Sequence, residues 1–485
     1  MRKLVSLLAA AMAAAVGGCL ELNVLWSPDG QRALLRGESG LYVTDAAGRL
    51  TQASTQPAAA MAFLPDSRRV VIQEPVNVSW EQAARLLPPE QVTQARLAGE
   101  ALMAKLRATE GEGQGLLQSL QADAGADVLG PVLLYLRDRY GQELSQRLKQ
   151  EWEGVRQAEL PIYRLRLARL EDKGLAPIRA LAHWPAPAAA MELSPDGRQL
   201  AFTAEVLSGG AKSRGLFICP VDGSDRPRQV DLHVGWQMAW SPDGRRLACF
   251  AGACPGREQK GELGELREYN LAEAASAPAS ATAPTSAASQ TASSSPSPRV
   301  VAAVYFQPDA GLAYLADGSI LFSGVAITLP ASSGTSPQHR LFVTGGEETT
   351  APTVIELTID MSDWLKWFRL SPDRQRVLLP GTGGRLAVLT LKDRSVRVIQ
   401  ETPANYSSAD YNFSSVPVWR GADTVCFGVP AGSPHGSPDR PELVLARLGE
   451  PIECRCISRQ WADDLVVRLA GRSKPTATAT APTSR

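Results

Sequence analysis

Trp26-Ser27-Pro28-Asp29-Gly30 is followed by the apolar run Ala33 to Leu35, and the phrase does not stand alone. It returns as Leu193-Ser194-Pro195-Asp196-Gly197 before Leu200 to Phe202. It returns again as Trp240-Ser241-Pro242-Asp243-Gly244 before Leu247 to Phe250. A degraded copy, Leu370-Ser371-Pro372-Asp373-Arg374, precedes Val377 to Leu379. Proline presets φ at the second position of a tight turn, and aspartate can bond its own backbone. Glycine takes the left-handed conformation that leads into the return strand. With aromatic and β-branched flanks, each phrase reads as a β-hairpin. A turn and strand recurring at intervals of tens of residues marks a repeat architecture.

Weaker copies fill the gaps. Phe63-Leu64-Pro65-Asp66-Ser67 precedes Val70 to Ile72, Ala316-Asp317-Gly318-Ser319 precedes Ile320 to Phe322, and Trp419-Arg420-Gly421-Ala422-Asp423 precedes Val425 to Phe427. Most of the seven sites carry a second hairpin downstream: Gly40 to Val43, Ile162 to Leu165, Gly215 to Ile218, Arg340 to Val343, Arg385 to Val388 and Glu442 to Leu445. The counterpart in the fourth unit, Leu266 to Asn270, has the weakest pattern. Two hairpins make a four-stranded blade. Seven blades predict an all-β, seven-bladed β-propeller over residues 19–473.

The turn aspartates Asp196 and Asp243 are 47 residues apart, and Asp373 and Asp423 are 50 apart. Two intervals are longer: Asp66 to Asp196 is 130 residues and Asp243 to Asp317 is 74. Each holds a segment of different character. Residues 79–159 are rich in helix formers, with Leu97, Leu102 and Leu106, Leu116, Leu117 and Leu120, and then Leu133, Leu134, Leu136, Tyr140, Leu144, Leu148 and Trp152 near helical spacing. Pro88-Pro89 suits a helix start. The segment predicts a cap of about four helices inserted in blade two. Its stripes read as the cap's own small core. The stretch Leu133 to Tyr140, with Arg137 and Arg139, also has the composition of an interface, which makes the insert the expected recognition element. Residues 273–298 and the tail 474–485 are almost entirely Ala, Ser, Thr and Pro with a few other polar residues. Such segments bury too little apolar surface to offset chain entropy, so both are expected to be disordered.

Arg2 and Lys3 precede the apolar stretch Leu4 to Val16, which is too short for a stable membrane span. It ends in Val16-Gly17-Gly18-Cys19. This resembles a bacterial lipoprotein signal peptide over residues 1–18. The resemblance implies that Cys19 receives a diacylglycerol and becomes the mature N-terminus. Acyl chains would anchor the chain through roughly 0.8 kcal/mol per buried methylene. An Asp after the cysteine favours retention in the inner membrane in such proteins. Leu20 stands there instead, which tips the expectation toward the outer membrane.

Fifty basic and fifty acidic residues balance, which gives no electrostatic case for nucleic acid. Besides Cys19, six cysteines remain: Cys219, Cys249, Cys254, Cys426, Cys454 and Cys456. Exported proteins can form disulfides. Cys249 in a strand and Cys254 in the following loop could bridge. Cys454 and Cys456 share one face of a strand, where a direct bond would be strained. Cys219 and Cys426 read as buried thiols. The four histidines, His183, His233, His339 and His435, fall in no zinc-type spacing, so no metal and no cofactor is expected. His435 reads as a loop residue, and Gly381 to Gly384 as a blade turn. There is no nucleophile-elbow motif, and the turn geometry already accounts for the repeated aspartates. The expectation is therefore a chain that is not an enzyme.

The Ser-Pro-Asp-Gly units, with Trp or Leu just before and an apolar strand after, resemble the WD40-like repeats of TolB-type β-propellers. Ala316-Asp317-Gly318-Ser319-Ile320-Leu321-Phe322-Ser323 matches that phrasing closely, and the resemblance covers most of 24–458 outside the two insertions. It implies a periplasmic interaction module. The same repeats also occur in propellers that precede serine-peptidase domains. No partner-binding motif of TolB is present to carry over. The expected function is a lipid-anchored envelope scaffold with a protein partner. The alternative is a propeller acting on or binding a small molecule or glycan at the mouth of its central channel.

Overall fold

The turn phrase works as its composition requires. Ser27 Oγ donates to Asp29 Oδ1 at 2.6 Å and accepts from the Arg32 amide at 3.1 Å, while the Gly30 amide closes the turn on the Ser27 carbonyl at 2.8 Å. The same bonds recur at Ser194–Asp196, where the Gln199 amide donates to Ser194 Oγ at 3.0 Å. Gly30, Gly197 and Gly244 have φ of 65°, 70° and 70°. In the degraded copies Ser67 and Arg374 hold the same left-handed conformation, each at φ 58°.

The computed structural model describes residues 24–461 except 38–39, 46, 109–128, 172–173, 209–210, 253–261, 272–297, 307–309, 327–339, 345–352, 355–366, 382–384, 402–416, 430–438 and 441. The signal segment 1–18, Cys19, Cys254, His339, His435, residues 273–297 and the tail 474–485 lie outside the described residues.

Each blade is built of four antiparallel strands that follow one another along the chain. Blade 1 is β1 (Val24–Trp26), β2 (Arg32–Gly37), β3 (Gly40–Asp45) and β4 (Leu50–Ser54). Blade 2 is β5 (Ala60–Phe63), β6 (Arg69–Asn77), β7 (Pro161–Glu171) and β8 (Gly174–Trp184). Blade 3 is β9 (Ala188–Leu193), β10 (Gln199–Ser208), β11 (Ala211–Pro220) and β12 (Arg228–Leu232). Blade 4 is β13 (Val234–Trp240), β14 (Arg246–Ala251), β15 (Glu262–Asn270) and β16 (Arg299–Phe306). Blade 5 is β17 (Leu312–Tyr314), β18 (Ile320–Ala326), β19 (Arg340–Val343) and β20 (Thr353–Val354). Blade 6 is β21 (Arg369–Leu370), β22 (Arg376–Pro380), β23 (Leu386–Thr390) and β24 (Val396–Gln400). Blade 7 is β25 (Val418–Trp419), β26 (Thr424–Val429), β27 (Glu442–Arg447) and β28 (Glu453–Cys456). A short pairing of Val304 with Ala326 and Tyr305 with Val325 joins blades 4 and 5 at their edges.

The core is a series of layers between neighbouring blades. Phe202 and Phe217 of blade 3 stack on each other and meet Trp184 of blade 2 at steep angles, and Phe250 of blade 4 meets the edge-on Phe322 of blade 5, which stacks on Phe342. Comparable layers join every adjacent pair, including blades 7 and 1, so the ring is closed. Among the described residues no strand is exchanged at that last seam, and side chains hold the ring shut. Trp461 is buried against Val24, Trp26, Val418 and Leu443, and its indole N–H donates to the Gly48 carbonyl at 2.8 Å. The Arg420 guanidinium lies 5.2 Å from the Trp26 ring centroid, and its Nε donates to the Gly30 carbonyl at 2.8 Å. A Cβ on Gly30 would come within 2.4 Å of the Arg420 carbonyl oxygen, so glycine is needed here for space as well as for its φ.

The helical insertion leaves blade 2 between β6 and β7, where Asn77 and Pro161 still pair. Among the described residues it holds α1 (Trp80–Leu86), α2 (Pro89–Ala108) and α3 (Leu129–Gln157). A capping box starts α1: the Gln82 amide donates to Ser79 Oγ at 3.3 Å, and the Ser79 amide donates to Gln82 Oε1 at 3.0 Å. Pro89 opens α2, where its missing N–H costs nothing. Trp80, Met103, Leu133, Leu136, Trp152 and Val155 form the cap's core, which continues into the propeller through Ile162, Ala186 and Leu207.

The apolar half of the stretch Leu133 to Tyr140 is therefore committed to the cap's interior, while Asp138 and Arg139 stay exposed. Leu133 to Leu136 are buried, Tyr135 meets Trp80 edge to face at 5.2 Å, and the Tyr140 hydroxyl donates to Glu100 Oε2 at 2.7 Å. Three helices standing off a propeller need an interior of their own, and this stripe supplies it.

Candidate functional site

The first strands of adjacent blades touch one another around a central lumen. A cavity of about 580 Å³ runs along it, lined by β1, β5, β9, β13, β21 and β25 and by the turns that follow them. Its lining is neither plainly apolar nor acidic with histidine. Instead it mixes Arg36, Arg214, Arg369, Arg420, Glu192 and Glu205 with Trp26, Trp236 and Trp419.

At one end Arg36 donates to the Ala59 carbonyl at 2.7 Å. Glu205 on β10 pairs with Lys212 Nζ at 2.6 Å and with Arg214 Nη2 at 3.5 Å, both on β11. The Arg214 guanidinium lies 5.2 Å from the Trp236 ring centroid. This is also the end where the cap stands, because Ala186 and Leu207, which flank Pro187 and Glu205 closely in sequence, belong to the cap's core. At the other end lie Ser27, Pro28, Pro65, Ser194, Pro195 and Pro372 of the repeated turns, with Arg420 over Trp26.

Two charged residues that line the lumen occupy the same position of the repeat. The residue four before the turn aspartate is Leu25, Ala62, Glu192, Ala239, Ala313 and Arg369 in blades 1 to 6. Apolar residues stand there except in blades 3 and 6, which are as far apart as a seven-bladed ring allows. Both charged residues sit on pinned main chain. The Trp240 indole N–H donates to the Glu192 carbonyl at 3.3 Å, and that of Trp419 donates to the Arg369 carbonyl at 3.0 Å. In blades 4 and 7 the tryptophan before the turn is thus a clasp onto the preceding blade.

The Glu192 side chain keeps some accessible surface toward the lumen but is surrounded by protein. Burial pushes its carboxyl up to about 7, against the opposing pull of Arg369 and Arg374. Burial likewise lowers the Arg369 guanidinium, with Glu192 acting the other way. Because folded Glu192 holds its proton more tightly than the unfolded chain does, its contribution to stability is complete below the ordinary carboxyl pKa. That contribution is lost as pH rises through about 7. The melting temperature of the wild-type chain is therefore expected to fall relative to Glu192→Gln between about pH 5 and pH 8. Parallel pH profiles for the two would refute the assignment.

The thiols are distributed around the blades. Cys219, Cys249 and Cys426 are buried and free. Burial pushes the thiols of Cys219 and Cys426 up to about 12 and that of Cys249 higher still. Cys249 sits in β14, and its proposed partner Cys254 lies outside the described residues. Cys454 packs against the blade 6–7 layer, and the Cys456 thiol donates to Glu442 Oε2 at 3.2 Å. His233 Nδ1 lies 3.2 Å from the buried Ser213 Oγ. Among the described residues, no three His, Cys, Asp or Glu side chains converge as a metal site would require. No described helix is long and apolar enough to cross a membrane.

No family model matches the sequence, and no curated protein matches it either. Among solved structures, the chain is similar to tricorn protease, with 11% identity over 79% of this chain and 31% of that one, at a TM-score of 0.40. It is similar to puromycin hydrolase, with 17% identity over 64% and 45% of the two chains, at a TM-score of 0.40. It is also similar to the β-propeller domain of the Trilobed protease from Pyrococcus furiosus, with 12% identity over 61% and 79%, at a TM-score of 0.36. The chain spans less than half the length of the first two. These likenesses reach no further than what the chain's own strand order establishes, a seven-bladed β-propeller.

Proposed function

We propose that the chain is a lipid-anchored propeller of the bacterial envelope, of TolB type, that holds a protein partner at one mouth of its channel. The observation that carries this is the cluster Glu205, Lys212, Arg214 and Trp236 on and beside the long β10–β11 hairpin, next to the helical cap. Arginine and tryptophan are the residue types that most often dominate binding energy at protein interfaces. Glu205 and Arg214 are themselves buried, and the half-buried Lys212 and Trp236 that they contact are what this mouth presents. Held in this way beside a helical wall, they form a shaped, pre-organised surface. Anchoring rests on the Val16-Gly17-Gly18-Cys19 box.

Two comparisons test the two halves of the proposal. Labelling with a clickable fatty acid should mark the wild-type chain and not Cys19→Ala, and equal labelling would refute the anchor. For the partner, residues 79–159 can be replaced by a short Gly/Ser bridge, because Asn77 and Pro161 already pair across the ends. The shortened chain should keep the circular dichroism of a folded propeller and lose its cross-linked partner from envelope membranes. Trp236→Ala should lose the same partner without loss of fold. Retention of the partner by both variants would overturn the assignment of this face.

A further inference from the structure

We propose that the lumen binds a small zwitterion, a free amino acid or a short peptide, with its carboxylate on Arg369 and its ammonium group on Glu192. This does not depend on the partner face proposed above.

The two side chains face one lumen from opposite blades, at the same repeat position, with opposite charge. Among the described residues, neither makes a side-chain hydrogen bond or an ion pair within contact distance. Each still feels the other's charge. A guanidinium and a carboxylate that are partly withdrawn from water and do not meet each lack a partner for their charge. A ligand that presents a carboxylate to one and an ammonium to the other completes both at once.

The remaining lumen arginines are engaged elsewhere. Arg36 bonds the Ala59 carbonyl, Arg214 pairs with Glu205, and Arg420 stacks on Trp26. Space is available because small residues, Ala62 at the same repeat position and Ala188 to Ala190 on β9, also line the cavity. The cavity volume of about 580 Å³ falls within the usual range of small-ligand sites, roughly 300–1,000 Å³. The tryptophan clasps hold the main chain at Glu192 and Arg369, so the two charges are set in place before a ligand arrives.

The test is isothermal titration calorimetry of the full chain in detergent with four probes: alanine, trialanine, N-acetyl-trialanine and trialanine amide. Alanine or trialanine should bind saturably with a dissociation constant below about 1 mM, and their relative affinity identifies a free amino acid or a peptide as the better ligand. Blocking either end of trialanine should weaken binding by at least about tenfold. Glu192→Gln should bind trialanine and its N-acetyl form equally, and Arg369→Met should bind trialanine and its amide equally. Saturable binding of neither free probe up to about 10 mM would overturn the proposal and leave the two charges serving each other through water. So would equal binding of the free and blocked forms by the wild-type chain, or end discrimination kept by both variants. If a variant fails to fold, the blocked forms on the wild-type chain decide the matter alone.

Discussion

Trp461→Ala lowers the unfolding free energy by about 3–5 kcal/mol, the usual cost of truncating a buried tryptophan. The expectation is specific to this ring. Among the described residues strands are not shared between blades 1 and 7, and the seam is held by one apolar layer, the Arg420 contacts and the Trp461 bond to Gly48. Removing the indole opens a cavity and leaves the buried Gly48 carbonyl without its donor. Urea denaturation of the variant and the wild-type chain measures the loss. Trp461→Phe keeps most of the apolar contact and should be milder, by the value of one hydrogen bond and a smaller void. If Trp461→Ala falls within about 0.5 kcal/mol of wild type, the seam is held by something else.

Glu74→Ala should be nearly as damaging, at about 3–5 kcal/mol. The Glu74 carboxylate on β6 accepts from Arg166 Nε at 2.9 Å and from Arg164 Nε at 3.0 Å. The Arg164 side chain is 41% exposed and can return to water, whereas that of Arg166 is 12% exposed and would be left buried without a partner. Most of the loss is therefore assigned to Arg166. The double variant Glu74→Leu, Arg166→Leu should recover much of it, because an apolar pair leaves no charge to desolvate. Arg49→Ala is the control: its side chain is 87% exposed, so it breaks only the ion pair to Asp45, leaves the Asp45 turn bonds to the Ala47 and Arg49 amides in place, and should cost under about 1 kcal/mol. Chemical denaturation of the four chains checks the order, and equal losses for Glu74→Ala and Arg49→Ala would refute it.

The blades are legible in the sequence because their constraint is local. Ser27, Asp29 and Gly30 act on one another across a few residues, so the reason for each letter lies inside the phrase. Even the degraded turns at Ser67 and Arg374 keep the geometry, and the strands on either side identify them. The helical insert is legible by its change of period and by the surplus in the turn spacing. The β15 strand reads poorly because its polar letters have distant partners. Arg267 pairs with Asp231 of the neighbouring blade at 2.8 Å, and Glu268 accepts from Arg246 and from Tyr314, at 3.2 and 2.6 Å.

The lumen is the part that reading along the chain misses. Glu192 and Arg369 are ordinary letters 177 residues apart, each on the first strand of its blade. Only the superposition of repeats shows that they share a position where other blades carry apolar residues. The Leu133–Tyr140 stripe misleads for a related reason. Composition cannot tell an interface from the interior of a small helical unit, since both bring together large apolar and aromatic side chains with a few arginines.

A ring assembled from seven consecutive, self-contained blades has no privileged starting point. Where strands are exchanged to close a circle, the chain ends are committed to one sheet, and opening the polypeptide anywhere else breaks that sheet. Here any connection between neighbouring blades could serve as new termini once a linker joins the old ones, since every blade would keep its own four strands and, among the described residues, only blades 4 and 5 also pair at their edges. The same independence means that a gene encoding this chain could gain or lose one blade by duplication or deletion of a single segment. The adjustment would fall on the inter-blade layers and on the width of the lumen, not on any sheet.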